Sequence, residues 1–297
     1  VSIMLLHNIE HFDFYFTPEG LPAWMQLLDK GIWETLFFLF GGKSYAIFAL
    51  LFGLTFFIMF DKQEKLGKDF RLRFAWRLLT MLCFAILNST FYQGDILTTY
   101  ALIGFGILPV AKLSNTAVFA IAAFFMFKPY EWINFFMALS HPDAKLGDPV
   151  SWSYFGKMWE YIPGDSIVAT WKGNLTNGRI GVLRWTWENG RVFQTLSLFM
   201  LGMLSGRKKL FAVSNDNKRF WTKTLIISAI AFIPLFFVSK NLGQWITCEA
   251  ILRHITTIEN SWSNMSFMLV LLSGFVLLYQ TTLLHGVLNV FEPIRRI

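Results

Sequence analysis

Long apolar runs separated by short polar connections dominate this chain. Ser44 to Phe60, Leu78 to Phe91, Ile96 to Val110 and Thr116 to Leu139 read as apolar helices, as do Arg191 to Gly206, Leu225 to Val238 and Ser266 to Leu284. A membrane-crossing helix needs about 20 mostly apolar residues. Val1 to Leu6 has the same character but is too short to cross, so it reads as the outer end of a first helix, with His7 to His11 emerging at the surface. Pro18, Gly20 and Pro22 mark a loop. Ile32 to Phe40 is apolar but short, either an interfacial helix or the start of the next span. Lys128-Pro129 and Pro234 are expected to interrupt or kink their helices, because proline cannot donate to the preceding turn. The pattern predicts an all-α, polytopic transmembrane helical bundle of about eight spans, the first one partial, in a single integral membrane domain over 1–297. The opening on Val1 and the ending on Arg295-Arg296-Ile297 lead us to expect a fragment truncated at both ends.

Charge turns this pattern into a topology. Only 15% of the residues are charged, against about 25% in soluble domains. The net charge of +7 gathers in the connections. Inner basic loops are expected at 61–77, with Lys62, Lys65, Lys68, Arg71, Arg73 and Arg77, and at 207–223, with Arg207, Lys208, Lys209, Lys218 and Arg219. Cytoplasmic connections carry such an excess of Lys and Arg. The polar stretch 140–190, rich in tryptophan, is then an outer loop lying partly on the headgroups, where indole rings sit well. A second outer loop is expected from Lys240 to Asn264. The basic balance is thus explained by orientation in a bilayer, with no nucleic-acid partner. Cys83 and Cys248 form no metal or disulfide pattern. Gly42-Lys43-Ser44 resembles the tail of a P-loop, but Phe37 stands where glycine is required.

Candidate chemistry is sparse. Asp95 follows Gly94 at the start of a span. It reads either as a helix cap, accepting from free amides, or as an acid that orients a base or binds a polar substrate. Tyr100 follows a little more than one turn later and is a candidate substrate contact, with helix packing through its hydroxyl as the plainer role. His7 and His11 share a helix face at i,i+4 and supply a possible general base near neutral pH, without a third ligand for a metal. Arg73, Arg77 and Arg207 read either as topology determinants or as a phosphate clamp, since guanidinium forks bind phosphate bidentately. Lys43 and Arg191 open spans and are candidate substrate contacts, with snorkelling as the plainer role. No ionisable residue stands out in the middle of a predicted span, which argues against proton coupling.

Several motifs carry a family resemblance. Ser44-Tyr45-Ala46-Ile47-Phe48-Ala49-Leu50-Leu51-Phe52-Gly53, Arg77-Leu78-Leu79, Gly94-Asp95-Ile96-Leu97 with Tyr100-Ala101, and Phe199-Met200-Leu201-Gly202-Met203 with Gly206-Arg207 resemble, in order, the YeiB-like bacterial membrane family. That domain-of-unknown-function family is placed with transmembrane acyltransferases by fold similarity. The resemblance implies a multi-pass protein of a bacterial inner (cytoplasmic) membrane. It also implies acyl transfer from a cytosolic donor, acyl-coenzyme A, to an envelope glycan or lipid acceptor, with no permanently bound cofactor. Asp95 would orient the base or bind the acceptor, His7 or His11 would be the base, and Arg73 and Arg77 would hold donor phosphates. Many members of that family carry a histidine shortly before the Gly-Asp pair, near where Asn88 stands here. The alternatives are a transporter or exporter of a small or lipidic metabolite, and a non-catalytic envelope partner.

Overall fold

The computed structural model describes residues 2–15, 20–141 and 147–281, with side chains omitted for Ser2 and 10–15. The described chain is all helical. Contacts divide it into two compact units: residues 1–49, 213–232 and 264–297 in the first, and 50–212 with 233–263 in the second.

The helices are α1 (Ser2–Tyr15), α2 (Ala23–Phe40), α3 (Lys43–Glu64), α4 (Arg71–Phe91), α5 (Leu97–Gly104), α6 (Asn115–Met126) and α7 (Pro129–Ser140). They continue as α8 (Val150–Gly156), α9 (Ile167–Gly173), α10 (Arg179–Glu188), α11 (Arg191–Arg207), α12 (Asn215–Trp245) and α13 (Glu249–Tyr279). Five helical stretches are long and apolar enough to cross a membrane: Ala23–Glu64, Arg71–Phe91, Asn115–Ser140, Asn215–Trp245 and Glu249–Tyr279. Of the other expected spans, Leu97–Ile107 is apolar but shorter, and Arg191–Arg207 is a 17-residue helix that does not reach that length. Only 11% of an apolar window of α12 is buried among the described residues, so most of its isoleucines and phenylalanines face outward, as suits a helix in a bilayer.

Several boundaries move relative to the hydropathy reading, always because polar residues join a helix. The first helix does not stop at Leu6 but runs to Tyr15. Of the basic stretch 61–77, only the part between Glu64 and Arg71 lies outside a helix, so Arg73 and Arg77 ride on α4. The expected outer loop from Lys240 to Asn264 is likewise helical, except between Trp245 and Glu249. Within 140–190 the chain folds into α8, α9 and α10, with a π-helical turn at Asn174–Gly178. Side-chain caps explain some of these starts. Ser114 accepts from the Ala117 amide and Ser166 from the Ala169 amide, each satisfying a donor the first turn leaves free.

The core of the second unit is an aromatic cluster. Phe52 stacks on Phe199 at 4.4 Å between centroids and meets Tyr100 edge-on at 5.8 Å, and Phe56 meets Phe74 at 4.6 Å. Glycines let the backbones close in around it. A Cβ on Gly53 would collide with the Phe199 carbonyl, and one on Gly202 with the Leu50 carbonyl. Bare backbone is therefore the contact surface between α3 and α11, the small-residue packing that membrane helices favour. Polar side chains complete the joints between helices: Ser197 Oγ donates to the Ala122 carbonyl at 2.7 Å and Trp262 Nε1 to that of Met126 at 2.9 Å.

Candidate functional site

Asp95 closes the α4–α5 hairpin. Its carboxylate is buried and accepts from Asn88 Nδ2 at 2.9 Å, the Thr98 amide at 3.0 Å, Thr98 Oγ1 at 2.9 Å and the Leu97 amide at 3.3 Å. The Ser89 hydroxyl lies 3.4 Å away, with the Ala85 carbonyl its closer partner at 2.8 Å. These groups meet the amides at the start of α5, so the geometry is that of a cap reinforced from the preceding helix. Asn88 is one of those donors.

The other expected site residues are dispersed. Tyr100 is 1% exposed within the aromatic core. Arg73 is exposed and bonds Gln63 Oε1 at 3.2 Å, and Arg77 is exposed. Arg207 spends its guanidinium on the turn after α5, donating to the Leu113 carbonyl at 2.7 Å, to Asn115 Oδ1 at 3.1 Å and to the Ala111 carbonyl. Beside that turn, Asp69 pairs with Arg71 at 2.7 Å and with Lys112 at 3.1 Å. The Arg71 hydrogen bonds hold its carboxyl well below the usual carboxylate range. Arg191 lies 4.5 Å over the Trp185 ring. In the first unit, Lys43 lies 5.7 Å from the Phe38 and Phe267 rings, a cation–π pairing, while Glu34 faces Lys30 at 3.9 Å. His7 is exposed on α1, and the side chain of His11 lies outside the described residues.

A second cluster, absent from the sequence reading, lies where α6 gives way to α7. Lys128 occupies the joint with φ 64° and ψ 55°, left-handed values that L-residues adopt at a cost. It is fully buried, and its ammonium donates to the Gly190 carbonyl. Glu131, one turn on, is also buried, and its Oε2 lies 3.1 Å from His254 Nδ1 on α13. The Lys128 ammonium and Glu131 Oε1 both lie within 3.3 Å of where a Cβ on Gly190 would stand. Gly190, at φ 59°, is therefore the residue that lets the α10–α11 turn approach these charges. Lys128 lies midway along Asn115–Ser140, about 20 Å from its first residue at 1.5 Å per residue. The span cores are thus not free of ionisable residues, contrary to the hydropathy reading. Partners 62 and 123 residues apart in sequence assemble the cluster, so no local motif announces it. The one local sign is a Lys-Pro step with an acid two residues further on, inside an otherwise apolar run.

An apolar cleft of about 350 Å³ opens elsewhere in the second unit, lined by Leu102, Ile103, Leu183, Val192 and Leu196. Thr99 and Thr186 also line it. The Thr186 hydroxyl bonds the Val182 carbonyl at 2.8 Å, whereas the buried Thr99 hydroxyl has no partner among the described residues. No group of three or more His, Cys, Asp or Glu that could hold a metal exists among the described residues.

The long apolar helices and the charge cluster within them define a multi-pass helical membrane protein with polar chemistry inside the bundle. Its relatives are uncharacterised. Residues 205–297 match the family described as "Protein of unknown function (DUF418)". The chain is 30% identical over 135 residues to "Uncharacterized protein YxaH" of Bacillus subtilis (strain 168), a match covering 42% of this chain and 33% of that protein. It is 31% identical over 94 residues to "Uncharacterized 39.9 kDa protein in amylase 3'region" of Bacillus acidopullulyticus, covering 32% and 27%. The matches thus span no more than a third of those curated relatives. No solved structure matches the chain.

Proposed function

We propose that this protein is a membrane-embedded acyltransferase-like enzyme of a bacterial cytoplasmic membrane. It moves an acyl group from a cytosolic thioester, acyl-coenzyme A, to a hydroxyl of an envelope glycan or lipid. The observation that carries this reading is the pairing of half-buried His254 with buried Glu131, with Lys128 beside it. A carboxylate on Nδ1 fixes the imidazole tautomer and leaves Nε2 to act as base. In the proposed step, His254 Nε2 takes the proton of the acceptor hydroxyl. The oxygen bonds to the thioester carbon, the carbon–sulfur bond breaks, and the proton passes to the departing thiolate. Lys128 lies beside Glu131 and offsets its charge. Exposed Arg73 and Arg77 remain available for donor phosphates on the basic, cytoplasmic side.

Full-length protein in membranes, supplied with radiolabelled acyl-coenzyme A, tests this. We expect label in the envelope lipid or glycan fraction, reduced by roughly 100-fold in His254→Gln and Glu131→Gln, as for loss of a general base. Absence of transfer by a well-folded wild type would sink the enzyme reading. It would favour transport of a small or lipidic metabolite, to which the ionisable residues inside the spans also lend support.

A further inference from the structure

Glu259 lies ten residues into α13, about 15 Å along the helix. It is 4% exposed, and neither carboxyl oxygen has a hydrogen-bond partner among the described residues. The Ser239 hydroxyl on α12 and the Ser263 hydroxyl one turn further along α13 stand near it, outside hydrogen-bonding geometry. No charged side chain among the described residues offsets it. On α12, the Lys240 ammonium lies 5.5 Å over the Phe236 ring. On α13, Arg253 donates to the Gly147 carbonyl and His254 is engaged by Glu131. A lone ionised carboxylate in such surroundings has neither water nor a cation to stabilise it, and buried groups of this kind neutralise instead. Asp95 accepts from two backbone amides and two side chains, whereas Glu259 has only the two serine hydroxyls beside it. Ser239 is exposed and Ser263 half-buried.

We propose that the Glu259 carboxyl, flanked by the Ser239 and Ser263 hydroxyls, is a proton-binding site inside the helical bundle that exchanges with the aqueous phase. The ligand is the proton itself, and the hydroxyls relay it. The site faces α12, is separate from the Glu131–His254 pair, and stands whether or not the acyl-transfer reading does.

The test is carbodiimide chemistry on the full-length protein in native membranes. Dicyclohexylcarbodiimide, an apolar reagent, takes up the acid proton on nitrogen while the carboxylate oxygen bonds its central carbon. Rearrangement to the N-acylurea leaves the whole reagent attached. We expect a mass adduct on the Glu259 peptide that declines as the pH is raised and the carboxyl gives up its proton. Sodium should not change it, and Glu259→Gln should abolish it. An infrared band of a protonated carboxylic acid should vanish in the same variant. Should Glu259→Gln fold poorly, Ser239→Ala with Ser263→Ala provides the second comparison, and slower labelling is expected there. No adduct on folded wild type at any pH would overturn the proposal. So would labelling independent of pH, or suppression by sodium, which would point to a metal cation as the occupant.

Discussion

Asp95 and Glu259 show how far a residue's environment outweighs its type. Both are buried acids in an apolar protein, yet one accepts four hydrogen bonds and the other has only two serine hydroxyls beside it, neither in hydrogen-bonding geometry. Asp95→Ala would leave the Thr98 amide and hydroxyl and the Asn88 amide without their acceptor. We expect it to cost about 3 kcal/mol of stability in detergent unfolding, because buried donors lose their full desolvation compensation. Asp95→Asn keeps one carbonyl acceptor and should cost about 1 kcal/mol. If Asp95→Asn instead destroys function at unchanged stability, the acid itself takes part in chemistry rather than in capping. Gly-Asp before an apolar run made the cap legible from sequence. Glu259 was not legible, since nothing local distinguishes an unpartnered acid from one at a polar helix end.

Among the elements, α11 carries the most consequential joint. It presents Gly202 and Gly206 to α3, while Gln194 Nε2 reaches the Ser261 carbonyl of α13 at 3.3 Å. Gly202→Ala and Gly53→Ala each place a methyl on a facing carbonyl, a collision that flexible side chains cannot relieve. Each is expected to destabilise by about 3 kcal/mol, at the upper end of overpacking effects. Gly243→Ala on α12 is the contrast, because nothing lies within 4 Å of its added carbon. That change should be neutral or stabilising by up to about 1 kcal/mol from helix propensity. A series of unfolding midpoints separates the two outcomes. The Gly53 and Gly202 positions appear in sequence as glycines inside apolar runs, but which backbone each one meets depends on helix pairing.

At the scale of the whole molecule, orientation is predicted from where the basic residues sit. In a background lacking Cys83 and Cys248, Lys68→Cys tests the cytoplasmic assignment and Asp165→Cys the outer one; both positions are exposed. A membrane-impermeant maleimide applied to intact spheroplasts should label only the cysteine at 165. The cysteine at 68 should react once the membrane is opened. The reverse pattern would invert the topology and remove the inner arginines from any cytosolic donor.

Apolar content, low charge and basic connections determined the all-helical class and the membrane setting, because those properties depend on transfer from water to lipid and are nearly additive along a chain. They also located most of the long helices. What they missed were the polar extensions of α1, α4, α12 and α13, where helix continues after hydropathy fails, since backbone hydrogen bonding rather than apolarity sustains it. Only the tertiary structure decided the meeting of Lys128, Glu131, Gly190 and His254, and the isolation of Glu259. Both depend on which faces of distant helices turn toward each other, and the energy of a buried charge is set by those neighbours rather than by its place in the sequence.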